Sequence, residues 1–432
     1  MTDLLENLKN LDMVPLKSLI DKMKNGYSGT QVLEETEYKV SRIETISDGT
    51  VNLEKVGFVE KNDKLNEYKL ECGDLLFSNI NSLAMVGKTA IFDFDQENLY
   101  AGMNLLMIRP KQNVDSKWLY YVVNSYYFNQ LVKANAKHAI NQVSIPTSKI
   151  KELPVVFVNY QEQVKIKKYL DSKILLIDQL IKAKESLIEK ISQQRQSIIT
   201  EAVTKGLNPN VKMKDSGVEW IGGIPEHWLK SRIDFISRVK ARLGWKGLKA
   251  EEYVEEGYAF LATPNLKFRE IDFKNVNYIT EERYLESPEI MLEVGDVLLA
   301  KDGSTLGIVN VVRDLPLPTT VNSSIAVIRP TLKINSVYYY YYLKSTYIQD
   351  IINQIKDGMG VPHLFQADIK KFTVLLPPLE EQAQIAHYLD SEILKIDNLI
   401  SNVKLQIEKL KVYRQALIYE VVTGKIDDLE LD

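Results

Sequence analysis

The sequence predicts a mixed α/β protein in which two globular units alternate with two long helices that pair as an antiparallel coiled coil. Residues 150–207 return without a gap at 369–426, with roughly 25 identical positions in 58. A match of this length indicates a tandem duplication. The stretches outside the repeats contain short strand-like runs among turns, which is typical of mixed domains. We therefore expect a pseudo-twofold internal repeat.

Each repeat has the apolar spacing of a coiled-coil helix. Apolar residues recur three or four positions apart, which keeps a narrow seam on one helix face. The predicted seam residues are Ile166, Leu170, Ile174, Ile177, Ile181, Ile188, Ile191, Ile198 and Val203 in the first repeat, and Ile385, Leu389, Ile393, Ile396, Ile400, Val403, Ile407, Leu410, Leu417 and Val421 in the second. Neither seam can be buried by its own helix, so we expect each helix to pack against the other.

Three basic residues interrupt this seam: Lys184, Arg195 and Arg414. Arg195 and Arg414 occupy the same position in the two repeats. We favour the interpretation that these long side chains fix the register of the helix pair. The alternative is that they hold a partner subunit.

The repeats divide the chain into six segments. These are a first globular unit (1–149), a first helix segment (150–207), a linker (208–228), a second globular unit (229–368), a second helix segment (369–426) and a tail (427–432). The linker is rich in glycine and proline but carries Trp220, Ile221 and Trp228, so we expect it to lie against a surface.

Composition excludes several classes of protein. The chain has 45% hydrophobic and 26% charged residues, a net charge of −4, one cysteine and four scattered histidines. One cysteine excludes an internal disulfide and a cysteine-based zinc site. No apolar run approaches membrane-spanning length, so we expect a cytoplasmic protein without membrane contact. The net charge does not suit a non-specific nucleic-acid coat, so any such contact must come from local basic patches.

The two globular units share landmarks in the same order. A Gly-Asp pair opens a strand in each unit, at 73–76 and 295–298, and an Ile-Arg-Pro run follows at 108–110 and 328–330. A helix then begins near Trp118 or Val337. The sequences between the landmarks diverge almost completely. We interpret this as one scaffold that presents two different binding faces.

Loops at matching places in the two units are the candidate binding sites. Amide, hydroxyl and lysine groups on such loops suit base edges and phosphates, although each residue could equally solvate an ordinary turn. The candidates are Ser78, Asn79, Asn81 and Lys88 after the first Gly-Asp strand; Lys301, Asp302, Ser304 and Thr305 after the second; Lys133, Lys137, His138, Asn141 and Gln142 in an expected loop at 133–142; Lys356 and His363 in its counterpart at 356–363; and the basic and aromatic cluster of Arg242, Trp245, Lys246 and Lys249. The run Tyr338–Tyr342 could stack on bases, but we favour helix core.

No catalytic motif stands out in the sequence. The phosphate-binding loop GxxxxGK[ST] and the dinucleotide fingerprint GxGxxG are absent. The sequence therefore has no obvious binding motif for ATP or a dinucleotide. Short acid-x-lysine patterns such as Glu37-Tyr38-Lys39 lack a convincing preceding Pro-Asp. We therefore predict a non-catalytic chain that carries no cofactor or metal of its own.

The chain resembles the specificity subunit of type I restriction-modification enzymes over essentially its whole length. The resemblance rests on the alternation of two divergent units with two near-identical helices. It also rests on Leu376-Pro377-Pro378-Leu379-Glu380-Glu381-Gln382 before the second helix, on the segment from Met213 to Trp228, and on the strand from Gly295 to Ala300. The first repeat departs from the pattern with Val158-Asn159-Tyr160-Gln161, although Glu162-Gln163 is kept. The first unit also starts at Met13 without a copy of the Trp220 linker.

This resemblance implies that the chain recognises DNA but catalyses no reaction itself. Each unit would be a target recognition domain that reads one half of a split site in double-stranded DNA. The helices would set the spacer and dock two methyltransferase subunits, which would bind S-adenosylmethionine, while restriction subunits would use ATP. The alternative from another class is a coiled-coil adaptor that joins protein partners without touching DNA. If binding to DNA weakens steeply as salt is raised, the DNA-binding interpretation is favoured over the adaptor.

Overall fold

A computed structural model describes residues 12–47, 49–94, 96–139, 142–218, 221–242, 248, 250–331, 334–357 and 363–426. The chain divides into two compact units, the first formed by residues 1–185 with 404–432 and the second by residues 186–403. This division differs from the six predicted segments, because each long helix contributes one half to each unit. The first unit is thus completed by helix residues that lie far away in the sequence, whereas the second is one continuous range.

The first unit contains twelve short strands and four helices among its described residues. The strands are β1 (Met13–Pro15), β2 (Ile20–Asn25), β3 (Lys39–Ser41), β4 (Val56–Phe58), β5 (Asp74–Ser78), β6 (Ile80–Asn81), β7 (Thr89–Phe92), β8 (Leu99–Tyr100), β9 (Leu105–Pro110), β10 (Lys137–Ala139), β11 (Gln142–Ser144) and β12 (Pro154–Val156). The helices are α1 (Ser116–Asn124), α2 (Tyr126–Asn135), α3 (Thr147–Lys151) and α4 (Tyr160–Lys205), the last of which continues into the second unit.

The second unit contains the remaining described elements. The strands are β13 (Met213–Asp215), β14 (Gly223–Pro225), β15 (Leu229–Arg232), β16 (Ser237–Lys240), β17 (Tyr258–Leu261), β18 (Asn277–Ile279), β19 (Val297–Ala300), β20 (Val309–Val311), β21 (Thr319–Val321), β22 (Ile325–Pro330) and β23 (Thr373–Leu376). The helices are α5 (Ile233–Ile236), α6 (Glu281–Leu285), α7 (Ser336–Leu343), α8 (Thr346–Asp357), α9 (Gln366–Lys371) and α10 (Leu379–Val422), the last of which ends in the first unit.

Two of the sheets have the same topology in both units. A four-stranded antiparallel sheet has the order β2-β9-β5-β7 in the first unit and β16-β22-β19-β20 in the second. A three-stranded sheet combines one antiparallel and one parallel pair, in the order β4-β3-β8 or β18-β17-β21. The central strands β5 and β19 are buried along their whole length, as expected for strands covered on both faces. The shared landmarks of the two sequences therefore mark a shared fold.

The landmark residues bind each other. Asp74, at the start of β5, receives two hydrogen bonds of 2.7 and 2.8 Å from the guanidinium group of Arg109 on β9. Asp296 and Arg329 repeat this pair in the second unit at 2.8 Å each. Each carboxylate also accepts a backbone N–H three residues earlier, and the hydrogen bond to each aspartate raises the pKa of its arginine. Two bonds with parallel geometry fix one strand against the other.

Within each unit, the two long helices run antiparallel. In the first unit Arg414 binds Asp178, and the Nζ of Lys184 lies 2.7 Å from the Oε1 of Gln406. In the second unit the Nη1 of Arg195 lies 2.8 Å from the Oδ1 of Asp397. The predicted seam residues are buried or half-buried in both helices. The coiled-coil prediction is thus confirmed, and the arginines link the helices in register.

Several local predictions need correction. The predicted helix segments start too early, because residues 150–159 form the end of α3 and the strand β12 before α4 begins at Tyr160. The expected single helix after Ser116 is two helices, broken where the Ser125 hydroxyl accepts the N–H of Phe128. The expected loop at 133–142 starts inside α2 and then forms the strand β10. Its counterpart at 356–363 begins inside α8, and residues 358–362 lie outside the described ones.

The tyrosine run and the linker behave as the sequence predicts. All five tyrosines from Tyr338 to Tyr342 are at most 3% exposed, so they form core and not a stacking platform. In the linker, Ile221 and Trp228 are buried, whereas Trp220 lies outside the described residues. In the described part of the chain, no helix combines the length and apolar character that a bilayer crossing requires.

Candidate nucleic-acid interface

In the first unit, a short sheet brings two of the predicted loops together. Strand β6 follows β5 directly and pairs with β11, so that Asn81 lies opposite Val143 and Ile80 opposite Ser144. Strand β10 adds to the other edge, with Lys137 opposite Ser144. The loop after the Gly-Asp strand and the segment at 137–144 therefore form one three-stranded surface. The β-branched residues Ile80 and Val143 could have indicated this pairing.

The polar candidates on this surface have two different environments. Ser78 is 1% exposed and accepts a hydrogen bond of 3.1 Å from the Nδ2 of Asn81. Asn79 is 6% exposed, and its backbone oxygen accepts the N–H of Ile145. These two residues hold the loop in place. Lys137 and Gln142 are exposed and Asn81 is half-buried, so these three side chains are accessible to a ligand.

Other candidates of the first unit lie elsewhere or are not described. Lys88 lines a cavity that also contains Arg414 and Asp178, so it is separate from the three-stranded surface. Lys133 lies in the last turn of α2 and is half-buried. The backbone of His138 belongs to β10, but its side chain and all of Asn141 lie outside the described residues.

In the second unit, a carboxylate and a histidine join the corresponding loops. Asp302, after β19, forms a backbone bridge with His363, and its Oδ1 binds the Nδ1 of that ring. The backbone oxygen of Lys301 accepts the N–H of Leu364 at 2.9 Å. Phe365, which is 54% exposed, packs its ring 4.4 Å from the imidazole. Because Asp302 engages Nδ1, the Nε2 atom of His363 is the ring nitrogen left for a ligand.

The remaining candidates of this loop differ in accessibility. The side chain of Lys301 is 11% exposed, and its Nζ lies 3.3 Å from the Oδ2 of Asp302. The Thr305 hydroxyl donates to the backbone oxygen of Asp302 at 3.1 Å, whereas Ser304 is exposed. Lys356 lies in α8, but its side chain is outside the described ones. Ser304 and Phe365 are thus exposed at this site, and the side chains of His363 and Asp302 are partly exposed, at 33% and 30%.

The predicted basic and aromatic cluster is only partly described. The side chain of Arg242 is 4% exposed, and its Nη2 lies 3.6 Å from the Oε2 of Glu286. Burial and the nearby Arg283 lower the pKa of Arg242. In this position Arg242 faces a carboxylate of its own unit and not solvent, so its predicted contact with a DNA backbone has no support from its placement. Trp245, Lys246 and Lys249 lie outside the described residues.

The two surfaces share a place in the fold but not their chemistry. Both lie where the central strand of the four-stranded sheet ends, and both include the segment that follows the second helix of the unit. The first presents an amide, a lysine and a glutamine, and the second presents an imidazole paired with a carboxylate, a hydroxyl and an aromatic ring. Such groups hydrogen-bond to base edges or stack on base faces. Among the described residues, no three metal-ligating side chains gather at one point.

A family comparison matches most of the chain. The sequence model for the type I restriction modification DNA specificity domain matches residues 9–190 and 248–409. These two ranges each contain one set of the shared landmarks. The two matches correspond to the internal repeat.

Individual specificity subunits match over different shares of their length. The putative type I restriction enzyme MjaX specificity subunit of Methanocaldococcus jannaschii is 29% identical over 429 residues, which is 98% of this chain and 96% of that protein. The EcoKI specificity subunit of Escherichia coli is 22% identical over 210 residues, covering 48% of this chain and 45% of that protein.

Solved structures show the same fold. One comes from a study of complex assembly and conformational transition of the type I restriction-modification system. It has a TM-score of 0.70 at 14% identity and covers 96% of this chain and 98% of the other. The HsdS subunit of Thermoanaerobacter tengcongensis has a TM-score of 0.51 at 15% identity, covering 96% and 97%.

Proposed function

The chain belongs to the family of type I restriction modification DNA specificity domains, and from that premise we propose that each of its units reads one half of a split DNA site. The chain would thus be the DNA specificity subunit of a type I restriction-modification complex. The long helices would set the spacer between the half-sites and dock the partner subunits. The adaptor alternative, in which the chain never touches DNA, is not favoured by this family membership.

One observation carries the proposal. Two units with the same sheets and the same aspartate–arginine pairs present different side chains at the same place. A scaffold that is kept while its exposed surface changes is expected for two recognition modules with different targets. Recognition of base edges depends on the identity of the exposed groups, whereas the fold positions them.

The catalytic work is assigned to partner subunits in this proposal. Two methyltransferase subunits would carry S-adenosylmethionine and modify adenine, and restriction subunits would use ATP. This chain would contain neither cofactor nor a catalytic residue. Catalytic turnover by the purified chain alone would contradict this assignment.

Methylation mapping tests the proposed function directly. DNA from cells that express this chain together with its cognate methyltransferase would be sequenced by a single-molecule method that detects methyladenine. We expect a split motif that is absent from cells lacking the chain. If no new motif arises while the same methyltransferase is active with another specificity chain, the proposal is wrong and the chain acts as an adaptor instead.

Single substitutions then assign each surface to a half-site. Lys137→Ala should alter methylation at the first half-site only, because Lys137 lies on the exposed surface of the first unit. His363→Ala should alter the second half-site only, because its ring belongs to the corresponding surface of the second unit. Each variant is the matched control for the other. A uniform loss of methylation across all sites would instead assign the residue to phosphate contact.

A further inference from the structure

The second unit contains a cavity of about 310 Å³ with an excess of positive charge. Its described lining includes four cationic side chains and one carboxylate. Arg195 comes from α4, Lys267 and Arg269 from the segment after β17, Lys344 from the residue after α7, and the carboxylate Asp397 from α10. The cations thus converge from separate elements of the unit.

The nearby carboxylates are already shared among several donors. Asp397 is 2.8 Å from Arg195. Asp390, beside the cavity, lies 2.9 Å from the Nη2 of Arg313 and 3.5 Å from the Nη2 of Arg269, and its Oδ1 also accepts the Tyr341 hydroxyl at 2.7 Å. One carboxylate therefore serves two guanidinium groups and a phenol. Acceptor groups are scarce around this cluster.

Two buried guanidinium nitrogens near the cavity lack a hydrogen-bond acceptor among the described residues, although the Oε1 of Glu270, which is 61% exposed, lies 3.9 Å from the Nε of Arg269. The Nζ of Lys344 lies 2.9 Å from the Tyr340 hydroxyl and 4.8 Å from the centre of that ring. The buried Nε of Arg269 and Nη1 of Arg313 have no hydrogen-bond acceptor among the described atoms. Lys267 is exposed and adds a further positive charge to the lining. A buried donor without an acceptor is costly, and a bound anion would remove that cost.

The first unit provides an internal comparison. Its cavity of about 590 Å³ is lined by Lys88, Lys117 and Arg414 together with the carboxylates Asp93 and Asp178. It lies at the same place in the fold, because the Tyr121 hydroxyl donates to Asp171 there, as Tyr341 does to Asp390. Its described lining thus has a formal charge of +1, whereas that in the second unit has +3.

The charges in and beside the two cavities differ at equivalent positions of the two units. Asp93 follows β7 as Arg313 follows β20, and Asn124 precedes the Ser125 cap as Lys344 precedes Ser345. The second unit therefore has cations where the first has an acid and an amide. The larger excess of positive charge is thus a property of the second unit and not of the shared fold.

We propose that the cavity in the second unit binds a phosphoryl anion. A guanidinium group offers a planar set of donors that matches phosphate oxygens, and lysine adds a compact charge. A phosphoryl anion would supply an acceptor for the Nε of Arg269 and a charged acceptor for Lys344, whose ammonium group otherwise binds the Tyr340 hydroxyl. Its source is either a free phosphate compound or the phosphodiester backbone of a nucleic acid, since both offer the same oxygens.

Calorimetric titration of the full-length chain with inorganic pyrophosphate tests this site. We expect saturable binding to the wild type, weakened about tenfold or more in Arg269→Gln because one charge-assisted contact is lost. Lys267→Gln should weaken binding as well, and this exposed side chain can be replaced without disturbing the core. Lys117→Gln, which removes a cation from the cavity of the first unit, is the matched control and should bind pyrophosphate as the wild type does.

A competition experiment with a short DNA duplex distinguishes the two sources. If pyrophosphate displaces the duplex and Arg269→Gln weakens both, the cavity holds a backbone phosphate. If Arg269→Gln weakens only pyrophosphate, the ligand is a free phosphate compound. No saturable binding by the wild type, or unchanged binding by both Arg269→Gln and Lys267→Gln, would overturn the proposal. This outcome is independent of the methylation map, which tests the proposed function separately.

Discussion

At the residue scale, the buried aspartate of each unit depends on one arginine. The Asp296 side chain is 1% exposed and lies 2.8 Å from the guanidinium group of Arg329. Glu293 lies 2.6 Å from the same guanidinium group but is 66% exposed. A buried carboxylate that loses its partner is far more costly than an exposed one, because water cannot replace the lost contact.

This contrast gives a stability prediction. Arg329→Ala should lower the free energy of unfolding of the second unit by roughly 3 to 5 kcal/mol, because Asp296 becomes a buried charge without its partner. Glu293→Gln, the matched control, should cost less than about 1 kcal/mol. Urea denaturation of the full chain, followed by circular dichroism, measures both. Equal effects of the two substitutions would show that the buried pair does not stabilise the unit.

The sequence located these residues but not their contact. Repetition of the Gly-Asp and Ile-Arg-Pro runs marked Asp296 and Arg329 as landmarks, because both recur in the same order. Their pairing depends on strands β19 and β22 lying side by side, and a single sequence does not contain that register. For the same reason the sequence could not separate the buried Ser78 and Asn79 from the exposed Gln142.

At the element scale, a buried glutamine near the start of each long helix binds the residue that caps a second helix of the same unit, α1 in the first unit and α7 in the second. The Oε1 of Gln382 accepts the N–H of Asn335, which caps α7, and its Nε2 donates to the oxygen of Pro377, both at 2.8 Å. Gln163 makes the same two bonds with Asp115 and Val158 in the first unit. One side-chain amide thus pairs with a backbone N–H that precedes one helix and with a backbone oxygen that precedes another.

Removal of this amide should destabilise the second unit. Gln382→Leu leaves the N–H of Asn335 and the oxygen of Pro377 without their partner, which should lower the free energy of unfolding by roughly 2 to 4 kcal/mol. Gln193→Leu changes an exposed glutamine of α4 and should have little effect. Hydrogen exchange at the Asn335 amide gives a local readout. Unchanged protection of that amide in Gln382→Leu would contradict the prediction.

The sequence predicted long elements better than short ones. Seam spacing identified both long helices, because apolar residues that recur at steps of three and four over such a length are specific to an amphipathic helix. Strand β10 was expected to be loop, since KANAKHAINQ has no strand-like pattern of its own. Pairing with β11 holds these residues in a strand although their own sequence does not favour one. Tertiary contacts can thus outweigh local strand propensity.

At the scale of the whole molecule, the length of the helix pair is expected to set the spacer between half-sites. Deletion of residues 182–188 and 401–407 removes one heptad from each helix and keeps the seam in phase. A heptad spans about 10 Å, or about three base pairs of B-DNA. We therefore expect the spacer in the methylated motif to shorten by about three base pairs.

Methylation mapping of the deletion variant measures this change. Deletion of only four residues from each helix, at the same place, shifts the seam out of phase and should abolish methylation. An unchanged spacer in a heptad variant that still methylates DNA would show that helix length does not set it. The two halves of the recognised motif should stay the same, because neither deletion touches the surfaces at β6 or His363.

The division of the chain into units has a consequence for its synthesis. The first unit includes residues 404–426, which are separated from residue 185 by the 218 residues of the second unit. At ribosomal rates of 5 to 20 residues per second, these residues follow about 10 to 45 seconds later. During this interval the second unit can fold, while the part of α4 around Asp178 and Lys184 lacks the residues of α10 that bind it, Arg414 and Gln406. The nascent chain therefore exposes an apolar helix face that chaperones can bind until its last segment leaves the ribosome.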